Sequence, residues 1–185
     1  MTLPNWLTLM RLLLVPFVVW AIAADAHQVA LALFLLAAAT DAVDGLLARL
    51  LDLESPLGRI LDPCADKALV AASMIMLTLG GLLPVWLTAL VVARDVAIVA
   101  VVAVVALSGA KWRVLSIQPS AAGKANTFAQ SGLIAVVLAG AAFGISVNAV
   151  ESGLIAVVAG LTLISGYGYL AGWLHGITNG REPAR

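Results

Sequence analysis

The decisive stretch is DAVDGLLARLLDLESPLGRILDPCAD, residues 41–66, which sets four carboxylates, Asp41, Asp44, Asp62 and Asp66, between apolar runs. Asp41 and Asp44 stand three apart, Asp62 and Asp66 four apart. Either spacing puts a pair on one face of a helix. The polar break Asp52–Pro56 separates the two pairs, so the stretch reads as the end of one helix, a short turn and the start of an antiparallel one.

Outward from this centre the chain is too apolar to be a water-soluble domain. Its 185 residues are 63% hydrophobic and 11% charged, with mean hydropathy +1.08, against about 25% charged in soluble domains. The apolar runs lack the alternation of barrel strands, which leaves helices as the means of satisfying the backbone in hydrocarbon. Six segments of spanning length fit, at about 7–24, 28–49, 57–79, 84–107, 124–144 and 151–174. The expected fold is therefore all-α, a polytopic membrane protein of six transmembrane helices in a single domain, 1–185.

Loops 25–28, 80–84 and 145–150 contain no Lys or Arg, whereas Arg49, Arg59, Lys111, Arg113, Lys124, Arg181 and Arg185 fall toward the other side. The positive-inside bias puts both termini, and the acidic ladder, toward the cytoplasm. A formal net charge of zero gives no footprint for nucleic acid. Cys64 has no disulfide partner, and the first apolar run is too long and poorly flanked for a cleaved signal. Composition points to a bacterial plasma (inner) membrane.

A carboxylate inside a spanning helix costs about 2.5–3.5 kcal/mol. Four converging carboxylates repel one another, and divalent metal reverses that repulsion. An all-oxygen ligand set suits Mg²⁺ or Mn²⁺. Gly45, Ala48 and Gly58 keep the surroundings small, and Arg49 offers a forked phosphate donor. A transporter using the aspartates as proton-relay groups is the competing reading. It needs neither the small residues nor the arginine, and the two halves show no matched helix breaks of an inverted repeat.

Asp41-x2-Asp44-Gly45-x2-Ala48-Arg49-x8-Gly58-x3-Asp62-x3-Asp66 resembles the signature of the CDP-alcohol phosphatidyltransferases in all eight fixed residues. The resemblance implies six helices, a cytoplasmic-side active site, a homodimer and two divalent ions, Mg²⁺ or Mn²⁺, held by Asp41, Asp44, Asp62 and Asp66. Asp66 would also be the general base on the acceptor hydroxyl. Asp44, Gly45, Ala48, Arg49 and Gly58 would contact the nucleotide of CDP-diacylglycerol.

Pro4-Asn5-x-Leu7-Thr8-x2-Arg11, with Pro16, resembles the start of the phosphatidylglycerophosphate synthase and cardiolipin synthase branch, where Asn5 would lie near the nucleotide. Arg94-Asp95 fits the same branch; an ion pair with a carboxylate is the alternative role for that arginine. Pro119-Ser120-x3-Lys124-x-Asn126-Thr127-x2-Gln130 is similar to the CMP-forming cardiolipin synthases, with Asn126 where the other branch more often has a second lysine. Fewer cations favour a phosphodiester over a phosphomonoester. The expected acceptor is accordingly phosphatidylglycerol, giving cardiolipin and CMP, with glycerol-3-phosphate as the alternative. Arg94, Lys124 and Arg113 are the candidates for the acceptor phosphate. The polar stretch Ser108–Gly123 reads as a surface loop or lid, and Gly168, Gly172 and Gly176 as a close-packing stripe.

Overall fold

The structure, a computed structural model, describes the backbone of residues 3–51, 58–107 and 121–179 and the side chains within 10–40, 66–100 and 123–168. Six helices account for it: α1 (Leu3–Ala23), α2 (His27–Leu51), α3 (Gly58–Leu79), α4 (Val85–Leu107), α5 (Ala121–Phe143) and α6 (Asn148–Asn179). No strand occurs among the described residues. Each lies close to a segment read from hydropathy, except that α1, α5 and α6 start a turn earlier and α6 runs to Asn179, past the apolar run. Twenty-one or more residues per helix make at least about 30 Å of length. Two helices, over Gly123–Phe143 and Asn148–Gly168, are long and apolar enough within their described residues to cross a membrane.

Three helices stop in the same way at one end of the bundle. Leu82 N–H donates to Leu77 and Gly81 N–H to Thr78, with Gly81 at φ 73°. Ala26 N–H donates to Ala21 and Asp25 N–H to Ile22, with Asp25 at φ 54°. Ile145 N–H donates to Gly140 beyond Gly144 at φ 64°. These left-handed caps satisfy the last carbonyls and reverse the chain within a few residues. Gln28 Nε2 also donates to the Ala142 carbonyl at 3.2 Å, joining the start of α2 to the end of α5. These turns coincide with the loops that contain no Lys or Arg.

Helix neighbours run α1–α2–α5–α6–α4–α3 and back to α1, and α3 also reaches α5. Among the described residues α1 is thus a main neighbour of both acid-bearing helices. The apolar core lies toward the capped end, around Val18, Phe34, Met74, Leu77, Leu87, Leu133, Ile134 and Leu138. The outside is apolar as well: Phe17, Trp20, Trp86, Phe128 and Tyr167 are all exposed. Apolar area so widely spread far exceeds the isolated patches of soluble proteins and matches a surface facing hydrocarbon.

Candidate active site

Above the apolar core the inward faces of the helices turn polar. Arg11, Asn126, Gln130, Thr162 and Ser165 are all buried there. Measured from the capped end at 1.5 Å per residue, these positions and Asp66, Lys67, Arg94 and Asp95 stand about 14–26 Å along their helices. The α2 and α3 backbones bring Asp41, Asp44 and Asp62 to the same level, because residues 41–51 and 58–66 continue both helices unbroken. The polar layer therefore crosses the bundle at the height of the acidic ladder.

Contacts within the layer sort its charges. Arg11 Nη1 donates to Asp66 Oδ1 at 3.0 Å; the arginine side chain is 1% exposed and the aspartate 34%. Next along α3, Lys67 Nζ donates to Asp95 Oδ1 on α4 at 3.0 Å. Arg94 Nη1 donates to the same Asp95 oxygen at 2.6 Å, and Arg94 Nη2 to the Ser165 hydroxyl on α6. The aliphatic stem of Arg94 runs beside Gly166, where an added Cβ would sit 3.8 Å from Cγ. On α5, the carboxamide oxygen of Asn126 accepts from the Thr162 hydroxyl at 3.2 Å. Lys124 is exposed on α5, with no hydrogen-bond or ion-pair partner among the described residues.

The residues expected from the sequence divide accordingly. Asp66 lies in the layer, partly exposed, with Oδ1 bonded to Arg11. Arg94 is engaged by Asp95 and Ser165, the ion pair anticipated as its other role. Asn126 is turned into the α5–α6 contact. Asn5, Asp41, Asp44, Gly45, Ala48, Arg49, Gly58 and Asp62 lie on described helix backbone, with side chains outside the described residues. Arg113, in the 108–120 stretch, also lies outside them. Among the described residues no group of three His, Cys, Asp or Glu side chains gathers as metal ligands. Asp66 alone represents the ladder there, and a carboxylate whose side chain is 34% exposed is a donor type that Mg²⁺ and Mn²⁺ accept.

Sequence reasoning gave Arg11 no function beyond its place in an N-terminal pattern. The available signal was its position, since an arginine well inside an apolar helix requires a counter-charge.

Comparison with known proteins bears on what this layer serves. The family model "CDP-alcohol phosphatidyltransferase" matches residues 1–167. A "Probable phosphatidylglycerophosphate synthase" of Mycobacterium tuberculosis (strain ATCC 25618 / H37Rv) is 34% identical over 191 residues, covering 98% of this chain and 86% of its own. A "CDP-diacylglycerol--glycerol-3-phosphate 3-phosphatidyltransferase" of Pseudomonas fluorescens is 32% identical over 199 residues, covering 100% of this chain and 97% of its own. A "Cardiolipin synthase (CMP-forming)" of Rattus norvegicus is 42% identical over 102 residues, which cover 55% of this chain and 34% of the relative. The chain is a member of the CDP-alcohol phosphatidyltransferase family.

Proposed function

We propose that the protein transfers the phosphatidyl group of CDP-diacylglycerol to phosphatidylglycerol, giving cardiolipin and CMP. Asp66, partly exposed within the polar layer and held by Arg11, is the observation that carries the reaction type. It takes the proton of the acceptor hydroxyl as that oxygen attacks the phosphorus bearing diacylglycerol; the bond to the CMP phosphate breaks and CMP leaves. Asp41, Asp44, Asp62 and Asp66 would hold two divalent ions, Mg²⁺ or Mn²⁺, which would supply positive charge against the pyrophosphate. Asn5, Gly45, Ala48, Arg49 and Gly58 line the nucleotide's place, with Asp44 shared between nucleotide and metal.

Two observations support the phosphodiester acceptor. Arg94 is already engaged by Asp95 and Ser165, and position 126 is a buried neutral amide. Lys124, exposed, then supplies charge for a singly charged phosphate, assisted by Arg113. Glycerol-3-phosphate is the second reading, favoured by the names of the bacterial relatives matched over nearly the whole chain. Purified protein given CDP-diacylglycerol with each acceptor in parallel separates the readings by lipid product. Consumption of glycerol-3-phosphate alone rejects the cardiolipin reading, and no CMP with either acceptor rejects both.

The same reading places residues 1–185 as one domain with six spans and both termini cytoplasmic. It sits as a homodimer in a bacterial inner membrane, with the site facing the cytoplasm. The apolar exterior and the Lys/Arg-free turns at the capped end support this placement.

A further inference from the structure

We propose that Arg11 is the positioning residue of Asp66, holding Oδ1 of the carboxylate so that the group meets metal and acceptor hydroxyl in a set orientation. The inference rests on the proposed phosphatidyl transfer and deepens it. Arg11 stands on the inward stripe of α1, in register with half-buried Leu14 and Val15 and with buried Val18, Ala21 and Ile22. An apolar side chain there would pack without an electrostatic cost, whereas a guanidinium so enclosed is tolerable only against a counter-charge. Asp66 supplies counter-charge 3.0 Å away.

The neighbouring charges preserve the pairing. Lys67 adjoins Asp66 in sequence, yet its ammonium goes to Asp95, which also takes Arg94. Asp95 thereby draws two cations toward α4 and α6, away from Asp66. Arginine keeps its charge at any working pH and holds its donors in a planar fork. A carboxylate clamped in this way loses rotamer freedom before substrate arrives, and misplacement of a reacting group by about 1 Å can cost on the order of 100-fold in rate.

The test compares wild type, Arg11→Met and Arg11→Lys as purified full-length protein in lipid nanodiscs. Activity is scaled to folded protein by thermal unfolding. The expected result for Arg11→Met is a kcat at least about 10-fold lower with the KM for CDP-diacylglycerol within about twofold, partly restored in Arg11→Lys. Mn²⁺ affinity, read by electron paramagnetic resonance without nucleotide, should weaken at least about threefold in Arg11→Met. If Arg11→Met yields no folded protein, Arg11→Gln replaces it under the same criteria. A kcat within twofold of wild type, or an unchanged Mn²⁺ affinity, overturns the proposal. Absence of CMP from the wild type overturns the reaction instead, and the Mn²⁺ measurement then still judges Arg11.

Discussion

The hydroxyl of Thr162 on α6 donates to the carboxamide oxygen of Asn126 on α5, 3.2 Å away, with both residues almost fully buried. The contact explains why a polar residue is tolerated on the inward face of α5. It also makes position 126 part of a helix–helix seam. Thr162→Val should leave the Asn126 amide oxygen unsatisfied and cost about 1–3 kcal/mol. Asn126→Leu combined with Thr162→Val should recover most of that loss, because neither polar group is then left alone. Thermal unfolding of the two variants in one detergent measures both, and a double variant no better than the single one counts against the bond.

Lys124 and Arg94 should respond differently to substitution. Lys124 is exposed, so Lys124→Gln should leave the unfolding temperature within about 1 °C while raising the acceptor KM roughly 10-fold, a loss of about 1.4 kcal/mol of binding. Arg94 pairs with Asp95 beside it on α4 and ties that helix to α6 through Ser165, so Arg94→Met should cost about 3 kcal/mol of stability. An unfolding temperature unchanged in Arg94→Met would show that the tie contributes nothing.

Chelation should stop CMP release, and either Mg²⁺ or Mn²⁺ should restore it. Asp66→Asn should abolish CMP release at every metal concentration while circular dichroism retains the helical signal of the wild type. CMP release by Asp66→Asn within 10-fold of wild type would remove Asp66 from the base role.

The caps give a prediction independent of the reaction. Gly81 at φ 73° has open space around the place of a Cβ, so Gly81→Ala should cost about 1 kcal/mol from backbone conformation alone. Asp25 holds the corresponding position of α1 at φ 54°, and Asp25→Gly should be neutral or stabilising by up to about 1 kcal/mol. Gly140 differs from both. A Cβ there would meet Val147 Cγ2 at 2.7 Å, so Gly140→Ala should cost about 1–3 kcal/mol by overpacking. Equal losses at positions 81 and 140 under matched denaturation would contradict the distinction.

The sequence by itself determined the helices and their chemistry. Apolar runs long enough to cross hydrocarbon leave the backbone little alternative to helix, so the runs beginning near 28, 57 and 84 became α2, α3 and α4 almost residue for residue. Gly81 and Gly144 supply the left-handed caps of two turns, since few other residues accept that conformation. The pattern of eight fixed residues carried the family through its resemblance to a known signature, whereas helical periodicity accounts only for pairing Asp41 with Asp44 and Asp62 with Asp66.

Only the tertiary structure decided which inward faces meet. Periodicity says that Arg11 shares a face with Val18, but not that α1 lies along α3 with Asp66 opposite. It likewise could not choose among Asp95, Ser165 and an acceptor phosphate for Arg94, or turn Asn126 toward Thr162. Those choices depend on helix order around the bundle and on each helix's rotation. Side chains far apart in the chain set both, each gaining or losing by what it finds across the gap.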